Sequence, residues 1–274
     1  MQYKTLNNGR RIPQLGYGVW KIPNDEVTNA VEQALKAGYR LIDTAKVYEN
    51  ERGVGDALAG SKLSREDLFI TTKLANADQG YENTLKAFDE SLEKLGLDYV
   101  DLYLIHWPTP KYDTYVETYQ ALERIYKEGR AKAIGVCNFD IEHLKRIMNE
   151  CDVTPAVNQV ECHPYLQQKE LKQFCIDHDI QLEAYSPLMN GTNVMQNDVI
   201  QQIAATHGKT PAQVILRWHL QSDVVVIPKT VTPSRMKENA DIFDFELTDA
   251  DMNQIAMLDR NERNNQVPNE NNSR

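Results

Sequence analysis

Short apolar runs alternate with amphipathic stretches along nearly the whole chain. Strand-like runs fall at 16–20, 40–44, 67–73, 99–106, 131–139, 156–161, 180–186 and 224–229. Between them the apolar positions take helical spacing. Val27, Val31, Ala34 and Leu35 share one face behind a candidate cap at Asn24, with Asp25 and Glu26 favouring the helix start. Stretches 82–95, 114–127, 140–149 and 168–178 read the same way. Thr210, Pro211 and Gln213 form a cap, a first-turn proline and a capping-box partner, and a last helix starts at Thr248. Ahead of this rhythm, Asn7-Asn8-Gly9-Arg10 is a turn between two short runs and predicts a hairpin within 1–15.

Eight strands alternating with helices are the signature of parallel βα units. An open doubly wound sheet and a closed (β/α)8 TIM barrel both satisfy the pattern. Eight units in one uninterrupted chain favour the barrel, with an extra helix in the longer gap before the last strand. The expected organisation is one domain over 1–260 that includes the hairpin. Residues 261–274 hold six Asn and little apolar content, and predict a polar flexible tail.

Composition narrows the function. Thirty Lys and Arg against 40 Asp and Glu give a net charge of −10, which argues against a nucleic-acid partner. No apolar run approaches a membrane span, and the N-terminus has no signal-like segment, so a soluble, cytoplasmic protein is expected. Cys137, Cys151, Cys162 and Cys175 form no CxxC pair, and no metal site is expected.

In a barrel the chemistry lies after the C-terminal ends of the strands. Asp43 and Tyr48 follow the second strand, Lys73 ends the third and His106 ends the fourth. Taken singly, Asp43 reads as a turn or cap, Lys73 as a solvated charge, His106 as an interior histidine and Tyr48 as a packing aromatic. Jointly they converge on one mouth, as an active site requires. A lysine beside a tyrosine lowers the phenol pKa and makes it a better proton donor to a carbonyl oxygen; a histidine orients that oxygen. None of the four supplies electrons, so reduction at such a site needs a bound hydride donor.

Other motifs are decoys. Gly53-Val54-Gly55 begins a dinucleotide fingerprint, but Leu58 occupies the third glycine position. Gly208-Lys209-Thr210 resembles a Walker ending but has Ile203 in place of the first glycine. Tyr17 with Lys21, and Tyr165 with Lys169, both match a YxxxK spacing, so that spacing selects nothing.

Several runs resemble the aldo-keto reductases: 38–45 (GYRLIDTA), 47–51 (VYENE), 70–73 (ITTK), 102–108 (LYLIHWP), 134–139 (IGVCNF), 157–165 (VNQVECHPY), 184–188 (AYSPL) and 226–235 (VIPKTVTPSR). The likeness spans about 3–260 in order, and is strongest to the bacterial branch of 2,5-diketo-D-gluconate and glyoxal reductases. It implies a catalytic tetrad of Asp43, Tyr48, Lys73 and His106, with Tyr48 as general acid, and NADPH as cofactor. It implies that Asn138 and Gln159 hold the carboxamide and Tyr185 stacks on the nicotinamide. Ser186 and Leu188 would approach the pyrophosphate, Lys229, Thr230 and Arg235 the 2′-phosphate, and Glu238 and Asn239 the adenine. Trp20 and Trp107 would line the substrate pocket. Cys137 stands where many members have serine, which weakens one hydrogen bond to the carboxamide, and Met189-Asn190-Gly191 replaces a glycine-rich stretch. The resemblance implies a monomer that reduces small dicarbonyls, keto-sugars or aromatic aldehydes. The other reading is a redox-sensing barrel that holds cofactor with little turnover.

Overall fold

The computed structural model describes residues 1–273. Strands β1 (Tyr3–Thr5) and β2 (Arg11–Pro13) pair antiparallel as the expected hairpin. Eight parallel strands follow: β3 (Gly16–Gly18), β4 (Leu41–Asp43), β5 (Phe69–Leu74), β6 (Leu102–Ile105), β7 (Ile134–Cys137), β8 (Val157–Glu161), β9 (Gln181–Tyr185) and β10 (Val225–Val226). Each pairs with its sequence neighbour. A parallel bridge between Leu15 and Val226, with the Val226 amide donating to Gln14 O at 3.0 Å, brings the last strand back to the first. The result is a (β/α)8 barrel.

The hairpin plugs the N-terminal end of the barrel. Leu6 and Ile12 join Leu41, Leu102, Leu104, Val157 and Val225 in one buried cluster. Asn7 Nδ2 donates to Pro155 O at 3.1 Å, and Asn8 Nδ2 to Lys132 O at 2.9 Å, satisfying carbonyls beneath the strands. The larger core lies between the strands and the surrounding helices.

The helices are α1 (Asn24–Lys36), α2 (Glu51–Ala59), α3 (Tyr81–Leu95), α4 (Tyr115–Lys127), α5 (Ile141–Glu150), α6 (Lys169–Asp177), α7 (Asp198–His207), α8 (Pro211–Gln221), α9 (Pro233–Ala240) and α10 (Asp249–Ala256). The extra helix expected before the last strand is present, since α7 and α8 both lie there. Thr210 makes the capping interactions expected of it, and Thr248, where the last helix is expected to start, caps α10 in the same way. Asn24 does not cap α1. It lies in the first turn behind Pro23, and its side chain accepts from the Gly53 amide at 3.0 Å, tying α1 to α2.

Helix α2 has no clear sequence signal because two glycines interrupt it. Both are there for close packing. A Cβ on Gly53 would lie 2.4 Å from Val27 Cγ1, and one on Gly55 would lie 2.5 Å from Leu95 O. The glycines of the false fingerprint therefore let α2 press against α1 and the end of α3.

Residues 261–273 have no regular structure, but they cross the rim of the barrel mouth with specific bonds. The amides of Asn264 and Asn265 donate to Glu161, Asn269 Nδ2 donates to Asp140, Asn272 accepts from the Lys111 amide, and Asn76 Nδ2 donates to Ser273 O. Those partners sit at or beyond the ends of β8, β7, β6 and β5. No helix among the described residues is long and apolar enough to cross a membrane.

Candidate active site

One cavity of about 1060 Å³ opens at the C-terminal end of the barrel, at the upper end of the range for small-molecule sites. It is lined by Asp43, Tyr48, His106, Asn138, Gln159, Tyr185, Ser186, Leu188, Lys229, Thr230, Arg235, Glu238, Asn239, Trp20 and Trp107. The remaining sequence candidate, Lys73, lies beneath the wall and is fully buried.

Lys73 is the centre of the site. Its Nζ donates to Asp43 Oδ1 at 2.6 Å and to Thr44 O at 3.0 Å, and lies 3.5 Å from Tyr48 Oη. Burial works to lower the ammonium pKa. The Asp43 charge and hydrogen bond, with Tyr48 and Cys137, outweigh it, and Lys73 is held above its ordinary value. It is therefore a fixed positive charge under the phenol.

Tyr48 departs from the sequence expectation in the net direction of its shift. Burial pushes the phenol up to about 12, and Lys73 pulls it down by less than burial raises it. The lysine effect exists, but desolvation of the tyrosinate is larger. His106 meets Tyr48 edge-on, with ring centroids 5.7 Å apart. Burial, and then the charge of Lys73, lower its pKa to about 3, so the ring is neutral and carries one N–H to donate.

A polar network that sequence reading missed sets the position of Tyr48. The phenol ends a short 3₁₀ turn, Lys46–Tyr48, between β4 and α2. Just beyond it, the buried Asn50 donates to Val19 O at 3.0 Å and Ile22 O at 2.9 Å, and accepts from Thr44 Oγ1 at 2.7 Å. Glu51 accepts from Thr72 Oγ1 at 2.6 Å. The segment after the turn is thus tied to β5 and to the residues just beyond β3 and β4. The only signal in the sequence was the composition of the VYENE run itself.

Farther along the cavity, Asn138 adopts a left-handed backbone (φ 63°), which asparagine tolerates well. Its Nδ2 donates to His106 O at 3.0 Å and faces Cys137 Sγ at 3.2 Å, while its Oδ1 accepts from Tyr185 Oη at 2.8 Å. Gln159 Oε1 is approached by the Cys137 thiol at 3.7 Å. Sulfur is a weak partner in both contacts, as acceptor from Asn138 and as donor to Gln159, so both amides keep capacity for a stronger one. The loop after β9 carries left-handed residues at Ser186, Met189, Asn190 and Gly191, and Met189 is buried beneath it.

At the other end, buried tyrosines hold the loop after β10 and helix α9 from below. Tyr17 Oη donates to Thr230 O at 2.6 Å, and Tyr39 Oη donates to Met236 O at 3.1 Å. Lys229 and Arg235 are exposed and have no ion-pair partner among the described residues, which is notable in a chain of net charge −10. Glu238 accepts from Thr210 Oγ1 at 2.8 Å. Further lining residues carried no such signal: Thr210, Pro211 and Ala212 read as a helix start, and Asn265 and Gln266 as tail.

The cavity fits a phosphorylated dinucleotide by the chemistry of its donors: two amides with spare capacity at one end and two free cations at the other.

Comparison with known proteins agrees with this geometry. The family model described as the aldo/keto reductase family matches residues 13–260. The chain is 53% identical over 266 residues to glyoxal reductase of Bacillus subtilis, covering 97% of this chain and 95% of that protein. It is 51% identical over 259 residues to methylglyoxal reductase DkgA of Escherichia coli K12, covering 94% of each. Among solved structures, a mutant of Gox0644 in complex with NADPH superposes with a TM-score of 0.95 at 46% identity, covering 98% of each chain. With the tetrad geometry, the matched length and these identities in agreement, the chain belongs to the aldo/keto reductase family.

Proposed function

We propose that this protein is an NADPH-dependent reductase of small aldehydes and 1,2-dicarbonyls, acting as a monomer in the cytoplasm. The observation that carries the reading is the buried Asp43–Lys73 pair beneath Tyr48, with His106 on the same cavity that ends at Lys229 and Arg235. The names of the glyoxal and methylglyoxal reductases support the substrate class, and the NADPH complex of Gox0644 supports the cofactor.

NADPH, when bound, supplies the hydride. Asn138 and Gln159 would hold its carboxamide, Tyr185 would stack on the nicotinamide, and Ser186 and Leu188 would approach the pyrophosphate. Lys229, Thr230 and Arg235 would take the 2′-phosphate, with Glu238 and Asn239 at the adenine. Neutral His106 donates to the substrate carbonyl oxygen and orients it. Tyr48 then gives its proton to the developing alkoxide. A phenol at about 12 is still a far stronger acid than an alcohol, which is comparable to water at about 15.7, so the transfer runs downhill. Lys73 stabilises the tyrosinate left behind, and Asp43 keeps Lys73 charged in its dry site. Trp20, Trp107 and the Tyr48 ring give the substrate end apolar walls.

The test is NADPH consumption across glyoxal, methylglyoxal, keto-sugars and aromatic aldehydes, alongside NADPH affinity. The expected result is turnover with the highest kcat/KM for a small dicarbonyl. Tight NADPH binding without consumption by any carbonyl overturns the reading in favour of a sensor.

A further inference from the structure

Glu183 lies inside the barrel below the tetrad, fully buried, and no step of the reduction uses it. Gln159 Nε2 donates to Asp43 Oδ2 at 2.9 Å and to Glu183 Oε2 at 2.9 Å. A primary amide nitrogen has two N–H bonds, so both are committed to carboxyl oxygens inside the barrel. Asp43 alone fixes which end of the amide points inward, because an ionised carboxylate at Lys73 repels an amide oxygen. One contact, however, leaves the amide plane free to swing and its second N–H free to reach the cavity. Glu183 removes that freedom.

We propose that Glu183 is a positioning residue for the cofactor: by taking the second N–H of Gln159, it leaves Gln159 with only an acceptor oxygen to offer the nicotinamide carboxamide, and so selects the NH₂ end of that group. This inference rests on the NADPH reading above. Asn138 complements it. Its Oδ1 is occupied by Tyr185, and its Nδ2 has only the Cys137 sulfur as second partner, so it offers a donor. One acceptor and one donor then face the two ends of the carboxamide and define a single orientation for it. Glu183 Oε1 has no partner among the described residues, so the contact to Gln159 is the one hydrogen bond this carboxyl group makes there.

The test is a pair of dissociation constants without substrate, read by quenching of protein fluorescence. One is for NADPH and the other for its reduced 3-acetylpyridine analogue, in which the carboxamide NH₂ is a methyl. The wild type is expected to bind the analogue about tenfold more weakly, the cost of leaving the Gln159 oxygen facing a methyl. Glu183→Gln, which keeps an acceptor oxygen, preserves that ratio, whereas Glu183→Leu brings it to about threefold or less, because the Gln159 amide, held by Asp43 alone, can swing its oxygen away from the methyl. An unchanged ratio in folded Glu183→Leu, or a wild-type ratio near one, overturns the inference while leaving the cofactor reading intact. Failure of the wild type to bind NADPH at all overturns the cofactor reading instead. If the leucine variant does not fold, the Gln159 side-chain amide in the wild type decides by NMR. Two protons that exchange slowly before cofactor is added support the proposal, and one that exchanges fast until NADPH binds overturns it.

Discussion

Lys73 donates to Asp43 across 2.6 Å in a part of the barrel where neither side chain has meaningful contact with solvent. A buried pair of this kind is expensive to break, because removing one partner strands the other charge. Asp43→Asn is expected to lower unfolding stability by about 3–5 kcal/mol in urea titrations and to reduce kcat sharply. The double variant Asp43→Asn/Lys73→Met, with no stranded charge, should recover much of the stability and none of the activity. An Asp43→Asn protein as stable as the wild type would show that Lys73 finds its charge balance elsewhere.

Replacing Tyr48 with Phe removes the proposed proton donor and leaves the packing. Turnover is expected to fall by more than about a hundredfold, with the NADPH dissociation constant little changed. Near-normal kcat in this variant would remove Tyr48 from the chemistry. The pH dependence has a stated sign as well. Tyr48 is raised to about 12 by burial, so its proton is retained across the neutral and mildly alkaline range, and kcat for reduction should show no alkaline loss from this group below about pH 10.

Arg235→Ala tests the phosphate end. A charge-assisted bond to the 2′-phosphate predicts that NADPH weakens by about ten- to a hundredfold while NADH is nearly unaffected. Equal losses for the two cofactors would place Arg235 away from the 2′-phosphate.

Much of this site could be read from the sequence because a parallel barrel turns strand order into spatial order. Residues at the ends of the second, third and fourth barrel strands must meet at the mouth, and Asp43, Lys73 and His106 do. What escaped reading depends on contacts between distant segments. Helix α2 was hidden because Gly53 and Gly55 weaken the helical signal for the sake of packing against Val27 and Leu95. The net direction of the Tyr48 shift could not be read because depth of burial decides it, and spacing does not report depth. The tail looked featureless because it is held by its backbone amides and asparagine side chains, which follow no periodicity, while its principal anchor, Glu161, lies about a hundred residues earlier in the chain.

That anchor makes the tail testable. Glu161 is fully buried and accepts from the Asn264 amide at 2.7 Å and the Asn265 amide at 3.1 Å, just where Asn265 and Gln266 line the cavity. A chain ending at Arg260 is expected to keep its NADPH affinity and to change the ranking of kcat/KM across the carbonyl panel by about tenfold for at least one class. Glu161→Ala should move the ranking the same way. A ranking untouched by either change would remove the tail from substrate selection.

The last prediction follows from Glu183. Burial, and then the nearby Asp43 charge, push its carboxyl up to about 8, against the contrary pull of Gln159 and Lys73. In the unfolded chain a glutamate ionises near 4.5. A carboxyl raised on folding contributes stability that is fully present below the unfolded value and is lost as pH rises towards the folded one. Between about pH 4.5 and 8 the wild type should therefore give up stability that a Glu183→Gln protein, with nothing to ionise at this position, retains. The melting temperature of the glutamine variant relative to the wild type is expected to rise from pH 5 to pH 8. Taking the difference between the two proteins cancels the other ionisations they share. A gap that stays constant or narrows over that range would mean that Glu183 ionises inside the barrel as easily as in water, and that its neighbours stabilise the charge more than burial penalises it.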